Sequence, residues 1–340
     1  MPFSPIPMRS PGTVVSRRHP QAPRVSIVIP VFNEEQNLPP LYERLAPVMD
    51  QIAGGVEAIL VDDGSADRSL EILREIAARD PRVRVVAFNR NYGQHAAVFT
   101  GLEMSRGAVV VTLDADLQNQ PEDIPKLLAK FDEGFDVVGG WREDRKDTAF
   151  RRFASRRVNA MMRRILKGVE FRDYGCMLRA YSRPVVDSMR QCEERSTFIP
   201  ALACQFARRV AEVPVGHADR AAGESKYSLW KLFKLQADLV TGFTSGPLRL
   251  ATFAGLAVAS LSVGFGIFLF IRRLIHGPEA EGLFTLFAIL FFLVGALFFA
   301  LGLLGEYVGR IYDEVRHRPR SVVAETINFG SDLGADEDAS

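Results

Sequence analysis

The sequence predicts an α/β fold: a Rossmann-like, mainly parallel sheet with flanking helices, followed by an interface helix and two transmembrane helices. From residue 24 onwards, short β-branched runs alternate with helices of amphipathic spacing, which is the order of a right-handed, doubly wound sheet. Two later stretches, Ala251–Ile271 and Leu283–Leu304, contain no charged residue. Each is about 20 residues long, enough to cross a hydrocarbon core of about 30 Å. A basic, aromatic segment precedes them and is typical of an interface helix.

The elements of the sheet follow in chain order. Residues 1–23 are rich in proline and predict a disordered arm. The predicted strands are Val25–Pro30, Val56–Val61, Val83–Phe88 and Ala108–Leu113, with two more around Asp136–Gly140 and Ala211–Val215. The predicted helices between them are Leu38–Ile52, Ser69–Arg79 and Gln94–Ser105. In such a sheet, ligands bind beyond the carboxyl ends of the strands, so functional side chains are expected directly after each strand.

Composition limits the class of protein. The 340 residues carry 42 Lys and Arg against 41 Asp and Glu, so a net charge of +1 argues against a nucleic-acid partner. The three cysteines fall in no metal-like spacing and suit a reducing compartment. A charged content of 24% with ordinary apolar usage excludes wholesale disorder.

The second half of the chain predicts membrane attachment. Segment 228–240 places Trp230 and Phe233 among lysines, as in a helix lying in the membrane interface, although an ordinary surface helix has the same pattern. Lysines and arginines flank both apolar stretches, which predicts that both flanks are cytoplasmic and that the short link Arg272–Gly282 is outside. The predicted divisions are an arm at 1–23, a cytoplasmic domain at 24–227, interface helices at 228–250, a transmembrane hairpin at 251–304, and a cytoplasmic segment with an acidic tail at 305–340.

Three polar clusters follow three of the predicted strands. They read Pro30-Val-Phe-Asn-Glu34, Asp62-Asp-Gly-Ser65 and Asp114-Ala-Asp-Leu-Gln118. Each alone is typical of a solvated turn. Because adjacent parallel strands end at one edge, together they predict a single crevice.

The third cluster has the chemistry of a divalent-metal site. Asp114 and Asp116 can turn two carboxylates towards one point, and Gln118 adds a neutral oxygen. Mg²⁺ or Mn²⁺ is commonly held by one or two carboxylates together with substrate phosphates. Asp62 or Asp63 can accept from a base N–H or a ribose hydroxyl. The chain lacks both a Walker A loop and a Gly-x-Gly-x-x-Gly turn after the first strand, which excludes a typical dinucleotide dehydrogenase.

These motifs resemble the inverting family 2 glycosyltransferases with the GT-A fold, in the branch that uses polyprenyl phosphates. The resemblance covers about residues 24–320. It extends to four further blocks: Asn89–His95, Asp173–Tyr181, Glu194–Pro200 and Gly223–Ser228.

The resemblance implies roles for individual residues. Those implied for the nucleotide are Pro30, Phe32, Glu34, Asp62, Asp63 and Asp114. Those implied for the metal are Asp114, Asp116 and Gln118, and those for the acceptor phosphate are Arg142, Arg151 and Ser155. Asp116, Arg142 and Arg151 are the residues expected to take part in catalysis. An arginine-rich run surrounds the acceptor positions, and a solvated or lipid-facing helix is the preferred interpretation for Arg156, Arg157, Arg163 and Arg164.

The implied reaction is transfer of a sugar from a UDP-sugar to undecaprenyl phosphate, assisted by Mg²⁺ or Mn²⁺, at the inner face of the bacterial cytoplasmic membrane. The first candidate sugar is 4-deoxy-4-formamido-L-arabinose, for lipid A and lipopolysaccharide modification; the alternative is glucose, mannose or another hexose for a different surface glycan. The expected partners are the donor, the lipid acceptor and membrane lipid, and the resemblance also implies a homo-oligomer, for which a tetramer is the candidate. A scaffold without activity is the competing class, and retention of both aspartates argues against it.

Overall fold

The computed structural model describes residues 22–142, 171–173, 175–192, 199–216, 246–276, 283–315 and 319–329. The chain divides into two units. The first comprises Met1–Cys192, Ile199–Gly223 and Arg320–Ser340, and the second comprises Glu193–Phe198 and Glu224–Pro319. The predicted arm, the predicted interface helix at 228–240 and the acidic tail lie outside the described residues, apart from the last residues of the arm.

The first unit is built on an eight-stranded sheet with the strand order β7-β5-β6-β4-β1-β2-β3-β8. Its strands are β1 (Val25–Val31), β2 (Val56–Asp62), β3 (Val83–Phe88), β4 (Val109–Thr112), β5 (Val137–Arg142), β6 (Arg179–Ser182), β7 (Val210–Val215) and β8 (Val323–Ile327). Its helices are α1 (Leu38–Gln51), α2 (Ser69–Arg79), α3 (Gln94–Met104), α4 (Ile124–Phe131), α5 (Arg183–Arg190) and α6 (Ile199–Phe206). The predicted α/β sheet with flanking helices is confirmed.

The central strands consist mostly of apolar residues because helices cover both faces of the sheet. The buried polar side chains of Ser26 and Arg84 donate to Glu57 within them. Every residue of β1, β2 and β3 is buried. Helix α1 shows the matching pattern, with an apolar stripe at helical spacing on its buried side. The members of that stripe are Leu38, Leu41, Leu45, Val48 and Met49.

Strand direction sets where the polar loops collect. Strands β4, β1, β2 and β3 are mutually parallel. Strand β6 is antiparallel to both β4 and β5, and β5 is parallel to β7. The carboxyl ends of β1 to β5 and of β7 therefore share one edge of the sheet, which is where ligands bind in folds of this kind.

The sheet gains an eighth strand from the C-terminal segment, an element that the sequence analysis did not predict. Strand β8 pairs antiparallel with β3. Beyond it, the Asn328 Nδ2 donates to the carbonyls of Ala77 and Val83, each at 2.8 Å. Phe329 is buried, with the Arg84 guanidinium 3.8 Å from its ring centre. A five-residue run with only three apolar positions has no pattern distinctive enough to predict a strand so far from its partner along the chain.

The second unit contains two long helices, α7 (Gly246–His276) and α8 (Leu283–Val315). They contain the two predicted apolar stretches and are longer: α7 extends beyond Ala251–Ile271 at both ends, and α8 continues past the predicted end at Leu304. Within the described helices, one stretch, Ile289–Gly309, is long and apolar enough to cross a membrane, with a mean hydropathy of 2.3 over 21 residues. The second span stays a prediction.

Candidate active site

The loop after β1 is tied to the loop after β2. The backbone N–H of Asn33 donates to Ser65 Oγ at 2.9 Å, and Asn33 Oδ1 accepts from the N–H of Ala66 at 2.8 Å. Asn33 adopts a φ of 54°, a left-handed conformation that asparagine tolerates better than most residues. The neighbouring Phe32 is 45% exposed, so its ring is open to stacking by a ligand.

The carboxylate of Glu34 lies at the same edge. Glu34 Oε2 accepts from Asn37 Nδ2 at 2.5 Å, at the start of α1. The backbone N–H of Glu34 donates to Ser69 Oγ at 2.9 Å, which fixes the loop against α2. Pro30, also expected at the nucleotide, is buried within β1 just before this loop.

Asp63, directly after β2, organises the loop after β3. Its Oδ1 accepts from the N–H of Tyr92 at 2.7 Å. Its Oδ2 accepts from Asn91 Nδ2 and from the N–H of Gly93, each at 2.9 Å. Burial raises the pKa of Asp63, and these donors work in the opposite direction. The carboxylate expected to bind a nucleotide is thus engaged in holding a loop of the protein.

Asp62 differs from its neighbour. Its Oδ2 accepts from the N–H of Ser65 at 3.3 Å, while its buried Oδ1 has no hydrogen-bond partner among the described residues. Burial raises the pKa of this carboxyl group. A buried acceptor without a donor is costly, and an N–H or O–H supplied by a ligand would offset that cost.

At Gly64, the loop after β2 packs closely against the loop after β3. The φ of Gly64 is +66°, and a Cβ placed here would come within 2.4 Å of the carbonyl carbon of Arg90. Only glycine combines that conformation with that contact. The Asp-Asp-Gly-Ser sequence is therefore required by packing between loops as well as by its polar groups.

Asp114 and Asp116 follow β4. Gln94 Nε2 donates to Asp114 Oδ1 at 2.7 Å, and the N–H of Gln118 donates to Asp116 Oδ1 at 3.1 Å. Burial, with the nearby negative charges of Asp116 and Glu34, raises the pKa of Asp114 to about 7, and Arg142 acts against that rise. The carboxylates of Asp116 and Glu34 therefore both lie within electrostatic reach of Asp114.

Crowded carboxylates of this kind fit a divalent cation. A bound cation would stabilise the charged form of Asp114 against both the burial and the carboxylate repulsion that raise its pKa. In the described residues no group of three or more His, Cys, Asp or Glu side chains is arranged to hold a metal without help. Two aspartates that leave most positions for phosphate oxygens and water match the usual Mg²⁺ site of nucleotide-dependent enzymes.

Arg142 ends β5 at the same edge and forms a bidentate pair with Asp173. Arg142 Nε donates to Asp173 Oδ2 at 2.6 Å, and Nη2 donates to Oδ1 at 2.9 Å. Both side chains are largely buried. The pair fixes the plane of the guanidinium. Arg151 and Ser155, the other residues expected at the acceptor phosphate, lie outside the described residues.

Sequence reasoning assigned no role to several residues that shape the site. Gln94 contacts Asp114, the loop of Asn91 to Gly93 holds Asp63, and Asp173 holds Arg142. Two blocks singled out by resemblance, Asn89–His95 and Asp173–Tyr181, contain all of them. Their partners are distant in the chain, so no spacing rule pointed to the contacts.

Comparison with known proteins shows which families and which named proteins this chain is similar to. Residues 26–190 match the family described as "Glycosyl transferase family 2", and residues 246–311 match the "GtrB C-terminal hairpin". A protein of Edwardsiella ictaluri named undecaprenyl-phosphate 4-deoxy-4-formamido-L-arabinose transferase is 53% identical over 307 residues, covering 89% of this chain and 94% of that protein. A protein of the same name from Klebsiella pneumoniae subsp. pneumoniae is 48% identical, covering 95% of this chain and 99% of that protein.

Among solved structures, glucosyl-3-phosphoglycerate synthase from Mycobacterium tuberculosis is similar with a TM-score of 0.44 and 22% identity. The match covers 64% of this chain and 76% of that chain.

Proposed function

The chain belongs to glycosyl transferase family 2, and from that premise we propose that this glycosyltransferase moves a sugar from a UDP-sugar to undecaprenyl phosphate. The observation that carries the proposal is the meeting, at one sheet edge, of an exposed aromatic ring, an unpartnered buried acceptor, crowded carboxylates and an oriented arginine. The names of the relatives that match nearly the whole chain support the same lipid acceptor.

The nucleotide occupies the crevice between the loops after β1 and β2. Phe32 stacks on the uracil ring, since its own ring is exposed beside the loop. Asp62 Oδ1 accepts from a base N–H or ribose hydroxyl, because that atom lacks a donor in the described residues. Asp63 contributes by holding the wall of the pocket.

Asp114 and Asp116 hold Mg²⁺ or Mn²⁺, with Gln118 as a further oxygen donor. When bound, the metal supplies positive charge to the diphosphate that leaves. Gln94 keeps Asp114 in a single orientation through its 2.7 Å hydrogen bond. The test is activity after removal of divalent ions with EDTA, followed by addition of Mg²⁺ or Mn²⁺.

Asp116→Asn provides the matching variant, since it keeps shape and removes one negative charge. We expect it to abolish turnover while the protein stays folded in the membrane. Wild-type-like turnover of Asp116→Asn would contradict the assignment of the metal ligands.

The acceptor phosphate binds to Arg142 and Arg151, with Ser155. A phosphate monoester has a second pKa near 6, so its attacking oxygen is an anion at pH 7 and needs no strong base. The protein's tasks are to align that oxygen behind the anomeric carbon and to exclude other orientations. Attack in line with the departing diphosphate inverts the anomeric centre.

The chain reaches its acceptor through a two-span membrane hairpin. Strand β8, which follows α8, pairs with β3, which precedes α7. Because the segments before and after the hairpin belong to one sheet, the chain between them crosses the membrane an even number of times. An even number of crossings supports a second span beside the one within α8, and we propose that it lies within α7. Basic residues on both flanks favour the cytoplasmic side for the sheet, at the inner membrane.

The decisive experiment is a mass-spectrometric assay of the detergent-purified protein with undecaprenyl phosphate, a divalent metal and a panel of UDP-sugars. We expect UDP-4-deoxy-4-formamido-L-arabinose to give a lipid-phosphate-linked sugar, which assigns the protein to lipid A modification. A hexose product from UDP-glucose instead would keep the reaction and change the glycan. Absence of a lipid product from every donor, with the protein folded, would contradict the acceptor.

A further inference from the structure

The loop that carries Asp173 is held by its backbone from two sides. Glu212, on β7, accepts from the N–H of Arg172 at 2.8 Å and from the N–H of Asp173 at 3.2 Å. Arg179, at the start of β6, donates from Nη2 to the carbonyl of Asp173 at 2.6 Å and from Nε to the carbonyl of Cys176 at 2.9 Å. Backbone groups on both sides of the Asp173 side chain are therefore bound to the sheet.

Arg179 and Glu212 stand in one register row of the sheet. Gly139 on β5 pairs with Arg179 on one side and with Glu212 on the other. Paired residues of neighbouring strands point to the same face, so the guanidinium and the carboxylate flank the glycine on that face. We call Arg179, Gly139 and Glu212 the support row.

The glycine of the support row makes room for the loop. A Cβ at position 139 would lie 3.1 Å from the Phe171 ring and 3.2 Å from Arg179 Nη1. Both distances are shorter than ordinary van der Waals contact. The Phe171 ring also lies under the guanidinium, with Arg179 Cζ 4.5 Å from the ring centre. A side chain at 139 would displace the loop or the arginine.

The buried position of Arg179 lowers the stability of the fold. Its side chain is 0% exposed, and its Nη1 has no hydrogen-bond acceptor among the described residues. A buried cation with an orphan N–H costs stability, and an apolar residue of similar volume commonly fills such a site at lower cost. The two carbonyls that Arg179 binds belong to the loop that orients Arg142. The contribution of Arg179 is therefore to hold that loop.

We propose that the support row positions Arg142 for the acceptor phosphate, acting through the Asp173 loop. The inference rests on the proposed function, because it takes Arg142 as a phosphate ligand. Arg179 and Glu212 fix the backbone of Asp173, and Asp173 fixes the guanidinium of Arg142 in two places. The support row itself touches no substrate: its members are positioning residues, and the substrate class whose binding they govern is the phosphate of the lipid acceptor.

The test uses the full-length protein in detergent and measures two dissociation constants, for undecaprenyl phosphate and for UDP with Mn²⁺, so that it does not depend on turnover. Arg179→Lys keeps the charge and loses the fork that reaches two carbonyls. Gly139→Ala keeps the arginine and crowds it. Arg183→Lys is the matched control, since Arg183 lies just beyond the other end of β6 and donates to the carbonyl of Gly107 at the opposite edge of the sheet.

We expect Arg179→Lys and Gly139→Ala to weaken undecaprenyl phosphate binding by on the order of 10- to 100-fold, the effect of losing a charge-assisted hydrogen bond to the phosphate. Binding of UDP with Mn²⁺ is expected to change by less than about twofold, because the nucleotide loops follow other strands. Arg183→Lys is expected to lower the melting temperature without altering the ratio of the two constants. Equal weakening of both constants by Arg179→Lys and Gly139→Ala would overturn the inference, since it would show general destabilisation.

A double-variant comparison separates this inference from the proposed function. If the support row acts through Arg142, then Arg179→Lys adds no further loss of undecaprenyl phosphate binding to that of Arg142→Ala. An additive loss would overturn the inference and leave the acceptor role of Arg142 in place. Unchanged lipid binding by Arg142→Ala alone would overturn the acceptor role itself, and the positioning role with it.

Discussion

Asp63→Asn probes the loop that Asp63 holds, and its cost can be worked out from three hydrogen bonds. Oδ2 accepts from Asn91 Nδ2 and the N–H of Gly93, while Oδ1 accepts from the N–H of Tyr92 alone. An asparagine keeps one oxygen, so its lower-cost orientation places that oxygen at the two-donor side. The amide NH₂ then faces the N–H of Tyr92, which loses its acceptor at a cost of about 1–3 kcal/mol.

Hydrogen–deuterium exchange resolved by mass spectrometry measures that loss where it occurs. A local opening made easier by about 1–3 kcal/mol raises exchange of the Tyr92 amide by about 5- to 160-fold. The Gly93 amide keeps its acceptor and is expected to change less. Because this loop leads into Gln94, which holds Asp114, we also expect the affinity for UDP with Mn²⁺ to fall.

Asp80→Asn is the matched control for that variant. Asp80 is buried and accepts from Tyr42 and Arg82 at the opposite edge of the sheet. Its replacement is expected to raise local exchange there and to leave UDP affinity unchanged. Unaltered exchange of the Tyr92 amide in Asp63→Asn would refute the reasoning. A fall in UDP affinity without increased exchange would refute it too, because Asp63 would then act on the nucleotide directly.

Three further predictions concern other parts of the chain. Gly64→Ala forces a Cβ to within 2.4 Å of the Arg90 backbone, so we expect it to weaken UDP binding as measured by calorimetry. Gly54→Ala is the control: Gly54 is also at positive φ, but a Cβ there meets only the Arg24 side chain, so we expect UDP binding to stay intact. Asn328→Gly retains the left-handed conformation but removes two hydrogen bonds to the carbonyls of Ala77 and Val83. We therefore expect the backbone amides of β3 to lose about 1–3 kcal/mol of protection from hydrogen exchange. Unchanged protection would contradict the docking of β8. Arg151→Ala is expected to raise the KM for undecaprenyl phosphate much more than that for the nucleotide sugar, with Arg156→Ala as the control, and an equal effect of the two variants would remove Arg151 from the phosphate site.

Several elements followed directly from local pattern. The strands Val25–Val31, Val56–Asp62 and Val83–Phe88 are short runs made mostly of β-branched and other apolar residues, and burial on both faces leaves little else that such runs can form. The polar clusters after them were expected at one edge because parallel strands end together, and the shared electrostatics of Asp114, Asp116 and Glu34 agree with that expectation.

Other features could not be read from the sequence because they depend on pairs far apart in the chain. Strand β8 pairs with β3, from which it is separated by more than half of the chain. The alternation of apolar and polar residues in its five positions is too weak to predict a strand. Asp63 was expected to contact a nucleotide, which stays a prediction, and both of its oxygens also accept hydrogen bonds from a loop that follows the next strand. Nothing in the local sequence distinguishes an aspartate that binds substrate from one that binds backbone.

The sequence by itself determined the class of fold, the apolar helices and the residue types at the site, since these follow from short-range periodicity and from the chemistry of carboxylates and arginines. Tertiary structure alone decided which carboxylate is held and which has an open acceptor, and it brought Arg179 and Glu212 to either side of Gly139. The physical reason is register: a shift of one residue in the pairing of β5, β6 and β7 would turn these side chains to the other face of the sheet. Short-range pattern predicts strands, whereas only the packed sheet sets the register between them.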